Sequence, residues 1–172
     1  MMHAGLPMRS LALGTAILLG GCASPGGGIT PFAVVAERPI SIPAHRAHTA
    51  FQAGRQVGGV DRFEPWCELE IRSVSERPQR VEPGRFPVRR VGQAFIRDYN
   101  TRAPAWVGGL SCTDLVFQET TWWLEPKPGS PVTWLRCIAP YIHCRFGPPL
   151  SPAQMQAVVG PALRIETGAA MR

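Results

Sequence analysis

The sequence contains few side chains in arrangements that support catalysis. It has no Gly-x-Ser-x-Gly nucleophile motif, no His-Glu-x-x-His pair and no P-loop. His45 and His48 are three residues apart, so they would not share one face of a strand. Glycoside hydrolysis needs two carboxylates in one cleft, but the candidate residues fall at positions we expect to face solvent. These candidates are Glu68, Glu70, Asp114 and Glu119. We therefore predict that the protein is not an enzyme.

A metal site or a cysteine nucleophile near the C-terminus is also poorly supported. The segment "CIAPYIHC" places six residues between Cys137 and Cys144, whereas paired zinc cysteines usually have two to four residues between them. His143 and Cys144 are neighbours, so in a strand their side chains would point apart and could not act as base and nucleophile. We predict no metal and no cofactor.

Arginine is concentrated in one part of the chain and suggests a binding role. Residues 72–102 contain eight arginines and three acidic residues. Arginine forks bind phosphate and carboxylate groups through two hydrogen bonds. The best candidates for such a surface are Arg85, Arg89 and Arg90, because they lie in a proline-bounded segment where we expect an irregular sheet edge. The simpler interpretation, which we favour from the sequence, is that these charges are solvated, in a chain whose only lysine is Lys127.

Tryptophan offers a second type of binding group. The sequence has five, namely Trp66, Trp106, Trp122, Trp123 and Trp134. Indole rings can stack on sugars, but large aromatic residues in a β protein more often fill the core. Trp122 and Trp123 are adjacent in a strand pattern and must lie on opposite faces. We therefore expect the tryptophans to lie mainly in the core, with at most one or two of the five exposed.

The N-terminus has the pattern of an export signal. Arg9 precedes an apolar run at residues 11–19, and residues 11–21 carry no charge. This run is about half the length of a membrane-spanning helix and matches the apolar region of a signal peptide. It ends in Leu19-Gly20-Gly21-Cys22, where small residues precede a single cysteine.

These four residues resemble the lipobox of bacterial lipoprotein precursors. The resemblance implies removal of residues 1–21, lipid attachment to the Cys22 sulfur and acylation of the new amino group. Two or three acyl chains form a stable membrane anchor. Ala23 follows the cysteine instead of the aspartate that favours inner-membrane retention. The resemblance therefore implies the outer membrane, with the protein facing the periplasm, where nucleic acid is not an expected partner.

Downstream of Cys22, four cysteines remain in a chain expected to reach an oxidising compartment. These are Cys67, Cys112, Cys137 and Cys144. Because their number is even, all four can pair, and we predict two disulfides. Three pairings are possible, and our preferred one joins Cys137 to Cys144 and Cys67 to Cys112. The glycine-rich stretch after Cys22 indicates a flexible tether. The predicted organisation is a signal peptide at residues 1–21, an anchor and tether at 22–38, and one disulfide-bonded domain at 39–172.

The remaining sequence predicts a mainly β domain. Alternation in "WCELEIRSV" and "TDLVFQETTWWLE" indicates strands, and Cys67, Leu69 and Ile71 are expected to point inward. Ser151 and Pro152 begin one short C-terminal helix that ends before Pro161. Short strands separated by turns favour a small antiparallel sandwich or open barrel, between which the sequence does not decide.

The mature part combines Cys-Glu-Leu-Glu-Ile at residues 67–71, Thr-Trp-Leu-Arg-Cys at 133–137 and a short terminal helix. In this it is similar to small proteobacterial lipoproteins, a resemblance that assigns no functional residues. Combined with the observations above, it favours a non-enzymatic binding or scaffolding protein of the envelope. The expected partners are the membrane through the N-terminal lipid and an anionic envelope glycan, a lipid phosphate or an envelope protein. The alternative is a small periplasmic hydrolase that acts on an envelope glycan or peptide.

Overall fold

A computed structural model describes residues 31–98, 103–104, 116–125, 127–141 and 148–168. Its strands, in chain order, are β1 (Pro31–Ala36), β2 (Ile40–Ile42), β3 (His48–Gln52), β4 (Arg55–Val57), β5 (Trp66–Ile71), β6 (Gln79–Val81), β7 (Gly84–Asp98), β8 (Ala103–Pro104), β9 (Val116–Leu124), β10 (Val132–Tyr141) and β11 (Leu163–Thr167). The helix α1 (Pro152–Val159) and a 3₁₀ turn (Gly160–Ala162) precede β11.

Eight of these strands form one curved antiparallel sheet, in the order β11-β1-β7-β9-β10-β5-β3-β4. The short strand β8 also pairs with β7, and β2 and β6 form a separate two-stranded sheet. Strands make up 55% of the structure, and the large sheet forms a half-barrel. This confirms the predicted mainly β fold with one short C-terminal helix.

The concave side of the sheet, here called the inner face, holds the main apolar core. Cys67, Leu69 and Ile71 of β5 are buried there, as the alternation predicted. On β10, Leu135 lies opposite Leu69 of β5 on one side and opposite Trp122 of β9 on the other. Alternate residues of each strand therefore build one continuous apolar layer.

Helix α1 covers the inner face. Ser151 caps its first turn by accepting a hydrogen bond from the Gln154 backbone, and the Gln154 side chain bonds back to the Ser151 backbone. Met155, Val158 and Val159 are its buried residues. The predicted helix and its predicted start are thus confirmed.

The segment from α1 through the 3₁₀ turn contacts strands near both edges of the sheet. On one side the Gly54 N–H donates to the Val158 carbonyl, and on the other the Glu37 N–H donates to the Ala162 carbonyl. Gly160 lies so close to Gly54 that an added Cβ would be 2.0 Å from the Gly54 oxygen. Only glycine fits at this contact, where Gly160 also has φ of +62°.

Two expectations from the sequence are wrong, one about where the tether ends and one about the conformation of the arginine-rich segment. The tether was expected to continue to residue 38, but Pro31–Ala36 is a strand that pairs with both β7 and β11. The proline-bounded segment containing Arg85, Arg89 and Arg90 was expected to be an irregular edge, but it belongs to the 15-residue strand β7 inside the sheet. Neighbouring strands supply the hydrogen-bond partners that local sequence could not reveal. For example, the Glu125 N–H donates to the Pro87 carbonyl at 2.8 Å.

Candidate functional site

The convex side of the sheet, here called the outer face, carries most of the charged strand residues and two half-buried tryptophans. It is formed by the strand positions that alternate with the inner-face residues. Four cross-strand neighbours on this face, Trp66, Ile96, Phe117 and Ile138, form a small second core. Beside that core the outer face becomes polar.

A buried ion cluster forms the centre of this polar region. The Arg136 Nη2 atom donates to the Glu68 Oε2 atom at 2.7 Å, and Arg136 Nη1 lies 3.7 Å from Glu119 Oε2. Glu68 and Glu119 are only 1% and 2% exposed, so the prediction that they face solvent is wrong. Glu70 is half-buried, and Asp114 lies outside the described residues. Arg136 at the centre was not singled out from the sequence.

The hydrogen bonds around this cluster indicate a structural role. Trp66 donates through Nε1 to Glu68 Oε1 at 3.3 Å, and Thr121 donates to Glu119 Oε1 at 2.9 Å. Glu68 therefore accepts hydrogen bonds at both carboxylate oxygens. The cluster joins β5, β10 and β9, because Arg136 lies opposite Glu68 on one side and Thr121 on the other.

Two arginine–tryptophan stacks extend from the cluster across the outer face. The Arg136 guanidinium lies 4.4 Å from the centre of the Trp134 ring, and Trp134 lies opposite Trp123. The Arg90 guanidinium lies 3.7 Å from the centre of the Trp123 ring. Both distances are within the range of cation–π attraction. The resulting row runs Arg136, Trp134, Trp123, Arg90.

Gly92 makes room for one end of this row. A Cβ added to Gly92 would lie 2.7 Å from two carbons of the Trp123 ring. The missing side chain therefore lets the indole lie over the β7 backbone. Trp123 and Trp134 are half-buried, whereas Trp66 and Trp122 are buried. Trp106 lies outside the described residues.

A bulge in β7 places two arginines together on the outer face. Val88 lies opposite Leu124 and Arg90 lies opposite Trp123, so Arg89 is an extra residue in the register. Val88 packs against the inner core, and Val91 lies opposite the inner-face residue Trp122. Two residues instead of one thus separate successive inward positions. Both Arg89 and Arg90 are exposed, and neither pairs with an acid within the described part of the chain.

Arg85, the third predicted arginine, has a different environment. Its Nε atom donates to Glu166 Oε2 at 2.8 Å. Arg164 donates to Glu166 Oε1 at 2.8 Å and also pairs with Glu37. Hydrogen bonds from Arg85 and Arg164 lower the pKa of Glu166, while those to Glu37 and Glu166 raise the pKa of Arg164. Arg85 is therefore engaged in an exposed ion network, apart from the other two arginines.

The cysteines pair differently from our preferred arrangement. A disulfide joins Cys67 to Cys137, which lie opposite each other on β5 and β10. The proposed Cys67–Cys112 and Cys137–Cys144 pairs are therefore wrong. Spacing along the chain favoured a short loop, but strand pairing brings together cysteines 70 residues apart. Cys22, Cys112 and Cys144 lie outside the described residues, as does His143.

Other types of site receive no support from the described ranges. They contain no group of three or more histidine, cysteine or acidic residues that could hold a metal ion. No helix in them is long and apolar enough to cross a membrane. No family model, curated protein or solved structure matches this chain. The outer-face side chains are therefore the candidate functional groups of the described residues.

Proposed function

We propose that the protein is a lipid-anchored lipoprotein of the bacterial outer membrane whose β domain binds an anionic component of the envelope. The lipobox pattern ending at Cys22 supports the anchor. The observation that supports binding is the β7 bulge, which puts Arg89 and Arg90 on one face. In a regular strand, adjacent side chains would point to opposite faces.

The surroundings of Arg90 suit recognition of a phosphate or carboxylate. Its guanidinium stacks on Trp123, which restricts the motion of the side chain and reduces the entropy lost on binding. The N–H groups at the edge of the fork stay available to an anion. Arg89, next in the chain, adds a second positive charge. Arg136, at the other end of the row, is buried and paired with Glu68, so the exposed cations of this surface are Arg89 and Arg90.

The binding role is tested by comparing Arg89→Gln/Arg90→Gln with Arg85→Gln. Because Arg85 already pairs with Glu166, its removal should leave ligand binding nearly unchanged. The double variant should lose about tenfold in retention on murein sacculi or anionic vesicles at low salt. Retention of the parent should also fall between 0.1 M and 1 M salt, as the Debye length shrinks from about 10 Å to about 3 Å. Equal retention of the double variant and the parent would refute the binding role.

The anchor is tested independently. Cys22→Ser should abolish labelling by radioactive palmitate and release the protein from the membrane fraction or stall its processing. A variant with Cys112→Ser is the matched control and should be labelled like the parent. Palmitate attached to the Cys22→Ser chain would contradict the lipoprotein assignment, whatever the result for the arginines.

A further inference from the structure

A cationic cleft lies at one end of the sheet, where β5 and β9 finish and β10 begins. Two overlapping cavities, of about 190 and 660 Å³, form this cleft. They share Arg80 and the turn at residues 127–131 between β9 and β10, and Arg72 lines the larger cavity. We call this region the basic cleft. It contains neither Arg89 nor Arg90.

Three cations converge on the basic cleft. Arg72, Arg80 and Lys127 are all exposed side chains that line it, and the acidic residue in its lining is Glu82. Glu82 pairs with Arg80 at 3.2 Å. The remaining charges of Arg72 and Lys127 have the same sign, so an anion between them would relieve their repulsion.

The walls of the cleft are held by backbone bonds and prolines. The Arg72 N–H donates to the Pro131 carbonyl at 2.8 Å, which fixes Arg72 against the turn. Within that turn the Ser130 N–H donates to the Lys127 carbonyl at 3.0 Å, and Gly129 has φ of +76°. Pro83, Pro128 and Pro131 limit the backbone freedom of the lining. The cations are thus carried by a fixed frame.

We propose that the basic cleft is a second anion site, which binds a phosphate group. A phosphate carries more charge than a carboxylate and has several acceptor oxygens, so the Arg72 guanidinium and the Lys127 ammonium can bind it together. The Ser130 hydroxyl and the backbone of the turn provide further polar atoms at the rim. The basic cleft is formed by residues other than those of the proposed outer-face surface, and phosphate binding there does not require the lipid anchor.

The first test measures binding of inorganic phosphate to the purified full chain in a non-ionic detergent by isothermal titration calorimetry. Arg72→Gln/Lys127→Gln should weaken phosphate binding about tenfold or more. Arg55→Gln is the matched control, because Arg55 is exposed on β4 and does not line the cleft. Thermal unfolding of each variant should match the parent, since exposed charges contribute little to stability.

Two further binding measurements identify the ligand and distinguish this site from the proposed outer-face surface. Soluble dihexanoyl phosphatidate that binds more tightly than inorganic phosphate would indicate a lipid headgroup as the source, whereas equal binding would indicate the phosphate group alone. Acetate bound as tightly as phosphate would overturn the assignment, as would a parent chain that binds neither phosphate nor phosphatidate. Arg89→Gln/Arg90→Gln should retain phosphate binding here, and an equal loss in that variant would refute a separate site.

Discussion

The two faces of the sheet stabilise the same strand pair in opposite ways. On the inner face, Cys67 and Cys137 are joined covalently within an apolar core. One residue along, on the outer face, Glu68 and Arg136 are joined by charge. A slip of β5 against β10 by one residue would bring each of these side chains to the wrong face. The register of β5 against β10 is therefore specified twice, once by a disulfide and once by a buried ion cluster.

The largest expected effect is on the inner face. Replacing both cysteines, in Cys67→Ala/Cys137→Ala, opens a loop with a sequence separation of 70 residues. Loop-closure entropy predicts a loss of about 4 kcal/mol in the free energy of unfolding. Urea denaturation measures it, and mass mapping of the unreduced chain should first identify the Cys67–Cys137 bridge. A bridge from Cys67 to Cys112 would contradict the strand register itself.

The outer face should respond strongly to the loss of a single charge. Arg136→Met leaves the nearly buried Glu68 and Glu119 without their shared cation, and should cost about 3 kcal/mol. Urea denaturation of Glu68→Leu/Glu119→Leu/Arg136→Met provides the contrast. With the charges removed together, this variant should recover most of the loss. If the triple variant is less stable than Arg136→Met alone, the ion cluster contributes to the free energy of unfolding as well as to the choice of register.

A smaller effect is expected where the aromatic row crosses β7. Gly92→Ala places a methyl group 2.7 Å from the Trp123 ring, so the indole must move and its stack with Arg90 is disturbed. Overpacking of this kind costs about 1–2 kcal/mol. Gly59→Ala is the control, because an added Cβ there meets nothing within 4 Å. Thermal unfolding should separate the two, and equal stability would mean that Trp123 does not depend on Gly92.

The smallest effect concerns pH and the ion network of Arg85. The pKa of Glu166 is lower in the folded state than its ordinary value of 4.5. The stabilisation that Glu166 gives the fold is therefore complete at pH values above 4.5 and declines as pH falls through the folded-state pKa. Glu166→Gln should therefore lower Tm slightly near pH 7 and leave it unchanged well below the folded-state pKa of Glu166, so that the variant loses slightly less stability on acidification. An unchanged acid profile in this variant would show that the network is fully screened by solvent.

The inner face was predictable and the outer face was not. Alternation in β5 identified Cys67, Leu69 and Ile71 as inward, and the caps of α1 were evident from Ser151 and Pro152. On the outer face the same alternation favoured solvent exposure for Glu68 and Glu119, because the cation that allows their burial is on another strand. The bulge at Arg89 was also hidden, since it depends on the register with β9. The burial of these acids and the position of the bulge depend on pairing between strands that are distant in the sequence, which local alternation does not reveal.

The position of β1 has a consequence for how the chain folds. This first described strand lies between β7 and β11, the last described strand, so Val34 lies opposite both Phe86 and Ile165. Such non-local contacts slow folding, because the intervening chain must be ordered before the ends meet. The sheet cannot be completed until β11 has been synthesised. Until then β1 would be an open edge of the sheet, with its backbone N–H and C=O groups unpaired on the side that β11 later covers.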